Sequence, residues 1–132
     1  MDEYTTDVRF LTGQPPERAE KALTVLRQVQ KGEIKLVLPA LVVAEIIWAL
    51  ESSVFKLSKA EAAEEAIAIL SMKGIEVEHA RLLEEAAVPY RDLNVDFIDA
   101  VLSCFARDKG LKGLCMFDRK DFSKVRGLKL LP

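Results

Sequence analysis

Short apolar runs alternate with longer stretches of helical periodicity along the whole chain, and this alternation constrains the fold more than any other feature. Ile34–Leu38 is a five-residue apolar run broken only by Lys35 and stopped by Pro39, which predicts a buried strand. Ile75–Val77 and Leu114–Phe117 predict two more, and Leu128–Leu131 a last short one. Between these runs the spacing is helical. Pro15 and Pro16 suit a first turn, Ala19, Ala22, Leu23, Leu26 and Val29 share one face, and Gly32 closes the segment. Leu41–Leu50 is too long for a second buried strand directly after a proline and predicts a helix. Ser58 and Glu61 form a capping-box pair, followed by Ala63, Ala66, Ile67 and Leu70, with Gly74 at the exit. Arg81–Ala87 is helical up to Pro89, and Phe97–Ala106 predicts a final, largely apolar helix. Strands separated by helices pair in parallel through right-handed crossovers. The expected architecture is therefore a single α/β domain over residues 1–132, with four or five short parallel strands and helices on both faces. Such sheets bind ligands beyond the carboxyl ends of their strands.

Composition narrows the functional classes. Of the 132 residues, 50% are apolar and 30% charged, the balance of a soluble globular domain. No apolar run reaches the roughly 20 residues of a membrane span, and the N-terminus lacks the basic-then-apolar pattern of a signal peptide. Cys104 and Cys115 lie in apolar segments and read as reduced core residues, which fits the cytoplasm. Two cysteines in separate elements do not make a zinc site. No Gly-rich phosphate loop is present, which argues against a nucleotide-driven enzyme. His79, the single histidine, reads as a surface residue, so histidine base chemistry is not expected. The net charge is −2, but residues 107–132 carry eight Lys or Arg against three Asp, a local net of +5. A basic C-terminal quarter attracts a phosphate backbone.

Several acids stand where acids are costly. Glu45 is the only charged residue between Pro39 and Leu50, in a segment whose composition predicts burial on nearly every side. A buried carboxylate must protonate, pair or bind a metal. Asp96 and Asp99 are three apart at the start of the Phe97–Ala106 helix and share a face, which Ser103 continues. Asp96 at that place also serves as an N-cap, whereas Asp99 lies between Ile98 and Ala100 in an apolar stretch. Asp118 and Asp121 follow the predicted Leu114–Phe117 strand, where turns favour Asp and where parallel sheets also carry catalytic groups. Carboxylates brought together without cations repel, and a hard divalent ion such as Mg²⁺ or Mn²⁺ relieves this with oxygen ligands alone. A site of that composition activates water against a phosphodiester.

Taken in order, Arg9–Gly13 with its following helix, Leu38–Glu45, Leu93–Ala100 and Phe117–Phe122 resemble the PIN-domain family, and within it the VapC-type toxins of toxin–antitoxin pairs. The resemblance implies a Mg²⁺- or Mn²⁺-dependent endoribonuclease that forms a homodimer and is restrained by a small antitoxin. On the matching motifs Glu45 takes the place of the family's second acid, Asp99 the third and Asp118 the fourth, with Asp96 as a frequent additional acid. These four are the expected metal ligands, and Glu45, Asp99 and Asp118 the expected catalytic residues, with Arg119 or Lys120 beside the RNA backbone. Two departures stand out. The family's opening Asp-Thr-Asn is missing, and its acid position falls on Glu3 without gaps or on Asp7 with a deletion. The Thr two residues before the fourth acid is Met116, which cannot donate a hydrogen bond. The alternative is a degenerate PIN domain that binds RNA or a protein partner without cleavage. A parallel-sheet domain whose acids are only caps and ion pairs is a third reading.

Overall fold

Three short strands run parallel in one sheet. The computed structural model describes residues 1–52 and 54–115, together with the backbone of 129–130. Strand β1 (Asp2–Tyr4) pairs with β2 (Ile34–Leu38), and β2 with β3 (Ile75–Val77), in the order β1-β2-β3. The register sets Tyr4 beside Leu36 and Leu38 beside Val77. A second parallel pair, β4 (Gly113–Leu114) with β5 (Lys129–Leu130), forms its own two-stranded sheet. The mixed α/β architecture with parallel strands holds as expected, with the five described strands divided three and two. Residues 116 and 117 of the predicted Leu114–Phe117 strand lie outside the described residues.

Alternation along β2 separates two chemistries. Leu36 and Leu38 are buried on one face, and Lys35 on the alternate side bridges Glu3 at 3.7 Å and Glu76 at 3.4 Å. A cross-strand row of opposite charges of this kind supports a short parallel sheet. It also engages Glu3, one of the two candidates for the missing first acid.

Six α-helices surround these strands among the described residues: α1 (Val8–Leu11), α2 (Ala19–Gln30), α3 (Ala40–Glu51), α4 (Lys59–Leu70), α5 (Ala80–Asp92) and α6 (Phe97–Asp108). The prolines at 15 and 16 lead into a 3-10 turn at Pro16–Arg18 rather than the first turn of α2 itself. Pro39, extended at ψ 148°, ends β2 and starts α3. The capping box of α4 closes as its sequence predicts: the Glu61 amide donates to Ser58 Oγ and the Ser58 amide to Glu61 Oε1, each at 3.1 Å. One boundary differs. Pro89 does not end α5, which continues to Asp92. Proline cannot donate to the Glu85 carbonyl, but Ala86, Ala87 and Tyr90 are buried on either side of it, and packing carries the helix through.

The core joins β2 and β3 to α3–α6 through Leu38, Val43, Ile47, Val77, Leu83, Phe97 and Cys104. Ala62, Ala63 and Ala66 supply the whole buried face of α4, and such small side chains let neighbouring helices approach closely. Cys104 is buried as expected, and burial pushes its thiol pKa up. Cys115, expected in the core, is exposed, because β4 has ended before it. His79 is exposed, as expected, and holds left-handed backbone at φ 57° before α5.

Gly74 lies at the tightest backbone approach. At φ 90° an added Cβ would stand 2.6 Å from the Val29 carbonyl oxygen. Gly74→Ala is therefore expected to lower stability by more than about 1 kcal/mol, read as a fall in the urea midpoint with unchanged slope. An unchanged midpoint would refute the contact.

Candidate functional site

Two helices carry the candidate acids, and local sequence sets the start of each. The amide of Ala40, at the first turn of α3, donates to Glu78 Oε1 at 3.2 Å, and the Glu78 amide donates to the Leu38 carbonyl at 2.8 Å. The loop after β3 thus supplies an acid to the α3 N-terminus, where the helix dipole favours one. At α6, Asp96 is the N-cap, its carboxylate accepting from the Ile98 amide at 3.2 Å. Asp99 is half-buried in the first turn. Ser103, one turn further on the same face, is fully buried, and its hydroxyl has no hydrogen-bond partner among the described residues.

Between α3 and α6 opens a cavity of about 280 Å³. Glu45, Glu51 and Asp96 line it, with Leu41, Trp48 and Ile98 as apolar neighbours. The fold has therefore brought Glu45 and Asp96, 51 positions apart in the sequence, to one cavity. Asp99 does not line this cavity, and Asp118 lies outside the described residues, as do Met116, Arg119, Lys120 and Asp121.

The burial expected of Glu45 is not found. Glu45 is exposed: Val43, Ile46 and Ile47 are the buried residues of α3, while Leu41 and Trp48 turn outward at 69% and 79% exposure. Apolar composition overstated how much of this helix is enclosed. Glu45 therefore carries no desolvation cost to be relieved, and it shares the cavity with Asp96.

The two candidates for a first acid have other roles. Glu3 pairs with Lys35. Asp7 caps α1, accepting from the Phe10 amide at 3.0 Å, and lines a separate cavity with Arg9 and Arg18. Among the described residues, no group of three or more His, Cys, Asp or Glu side chains is placed to hold a metal ion. The donors at the α3–α6 cavity are all carboxylates, so the residue types suit Mg²⁺ or Mn²⁺, and the described residues alone do not complete a coordination set.

Behind the cavity lies a residue that sequence reasoning missed. Tyr90 is fully buried and meets Phe97 edge-on, with ring centroids 5.6 Å apart. Burial, and after it the nearby Glu51 and Asp96 carboxylates, push its phenol pKa well above the usual range. Its hydroxyl has no hydrogen-bond partner among the described residues. Glu51 and Tyr90 had no local signal. Glu51 ends a helix and reads as a surface residue, and Tyr90 follows the proline where α5 was expected to have ended.

Of the three acids that line the cavity, Asp96 and Glu45 separate in stability. Asp96→Ala is expected to cost about 1 kcal/mol through the lost cap, and Glu45→Ala to stay within about 0.5 kcal/mol because the side chain is exposed. Urea denaturation of both variants checks this, and an equal loss in each would contradict the assignment of the cap.

In comparison with known proteins, the family model described as PIN domain matches residues 8–128. No curated protein and no solved structure gives a significant match.

Proposed function

The chain belongs to the PIN-domain family, whose members are generally nucleases, and from that premise we propose that it is a Mg²⁺- or Mn²⁺-dependent endoribonuclease. The observation that carries this reading is the meeting of Glu45 and Asp96 in one cavity between α3 and α6. In the proposal Glu45, Asp96, Asp99 and Asp118 hold the ion, which when bound activates water and offsets charge on the scissile phosphate. The chain's own residues then bind and orient: the exposed carboxylates of Glu45 and Asp96 are open to substrate at the cavity, and Arg119 or Lys120 holds the RNA backbone. A net charge of −2 with a basic stretch confined to residues 107–132 fits one structured RNA better than indiscriminate binding.

We further assign the protein to the toxins of toxin–antitoxin pairs, acting in the cytoplasm. A protein partner is supported by Leu41, Trp48, Ile98, Leu102 and Phe105, large apolar side chains left exposed on α3 and α6. A homodimer or a small antitoxin would cover such a surface. No helix among the described residues is long and apolar enough to cross a membrane.

A second reading has its own observation. Glu3 and Asp7 are engaged by Lys35 and by the α1 cap, and neither reaches the α3–α6 cavity. A domain without its first acid would bind RNA or a protein partner and not cut.

One experiment separates the two. Purified protein is incubated with structured RNA and millimolar Mn²⁺, with and without chelator, beside Asp99→Asn. Cleavage abolished by chelator and lowered about 100-fold or more in Asp99→Asn is the expected result. RNA binding without cleavage would establish the second reading, and undiminished cleavage by Asp99→Asn would remove that residue from the site.

A further inference from the structure

Lys59 occupies the first position of α4, where a cation opposes the positive end of the helix dipole. The helix does not need it there, since Ser58 and Glu61 already close the capping box. Its side chain is committed elsewhere. The ammonium donates to the Val95 carbonyl at 2.7 Å, 36 residues away, and lies 5.0 Å from the centre of the Tyr90 ring. A hydrogen bond from a charged donor, partly buried, is among the stronger kinds, and the aromatic face adds to it.

The carbonyl it holds belongs to the turn that launches α6. Val95 is fully buried, and Asn94 before it takes left-handed backbone at φ 54°. At its other end the turn is tied to α5, with the Leu93 amide donating to the Pro89 carbonyl at 2.9 Å. Asp96 comes next, and its backbone carbonyl accepts the Ala100 amide at 2.9 Å. Tyr90, under the ammonium, also packs on Phe97, the first residue of α6. One cation therefore contacts both the turn and the ring against which α6 begins.

We propose that Lys59 is a positioning residue for Asp96 and Asp99: by holding the Val95 carbonyl and the Tyr90 ring it sets where α6 starts, and so where these carboxylates stand relative to Glu45. The inference rests on the nuclease reading of those acids. Groups that hydrogen-bond metal ligands typically change metal affinity by about 10- to 100-fold when removed, and Lys59, which acts through the backbone one residue before Asp96, belongs at the lower end.

The test uses the full chain with Lys59→Met, which keeps an apolar stem and removes the donor, and Lys59→Arg, which keeps a cationic donor. Metal-free amide hydrogen exchange is followed at Ile98 and Ala100, with α2 amides as the control for global stability, and Mn²⁺ affinity is measured by titration. The expected result for Lys59→Met is exchange at Ile98 and Ala100 faster by about tenfold, α2 unchanged, and Mn²⁺ binding weaker by about tenfold. Lys59→Arg should restore both. Unchanged exchange in Lys59→Met overturns the proposal whether or not the parent binds Mn²⁺. Faster exchange with unaltered Mn²⁺ affinity also overturns it, leaving Lys59 a purely structural contact. If exchange responds but the parent binds no Mn²⁺, the anchoring of α6 stands and the metal-dependent reading fails.

Discussion

The approach of α6 to α3 is the constraint on which the rest of this molecule depends. Neither helix is held there by contacts between acids, which repel. The apolar core does the holding, with Val43 and Ile47 from α3, Phe97, Ala100 and Cys104 from α6, and Tyr90 of α5 between their neighbours. Burial of such side chains contributes about 1.5–3 kcal/mol each for the larger ones, enough to keep three carboxylates at one cavity against their mutual repulsion. The α4 alanines matter for the same reason, since bulkier residues there would push α5, and α6 after it, outward.

Much of this was legible in the sequence because the signals are local. The Ser58–Glu61 box, the stop at Pro39, and the runs Ile34–Leu38 and Ile75–Val77 each depend on residues within one turn or one strand. The motif around Asp96 and Asp99 was equally visible, and the helix start that its spacing implied is observed. The failures came where tertiary packing overrode a local rule. Pro89 should have ended a helix that core packing instead carries on. Glu45 should have been buried, but the outward Leu41 and Trp48 are apolar without being enclosed, and composition cannot tell an exposed apolar face from a core one. The contribution of Glu51, Tyr90 and Lys59 was illegible because it depends on contacts between residues more than 30 positions apart.

The missing opening motif shows the same competition between local and distant demands. Glu3 sits mid-strand beside Lys35, and the charge row that Lys35 forms with Glu3 and Glu76 supports a sheet three strands wide among the described residues. Asp7 satisfies an amide at the start of α1. Each acid has a structural duty that explains its presence without a metal. Glu45 differs in this respect: it is exposed at a cavity whose other walls are largely apolar, and among the described residues its charge contributes nothing evident to folding.

The most direct measurement of the central claim, that Glu45 and the α6 acids form one metal site, is the stability of the purified protein across a Mn²⁺ titration. A ligand that binds only the folded state adds about 2.7 kcal/mol at a hundredfold excess over its dissociation constant. The expected result is a rise of that order in the parent that is largely lost in both Glu45→Gln and Asp99→Asn. No rise in the parent, or an undiminished rise in either variant, would contradict a site built from these residues.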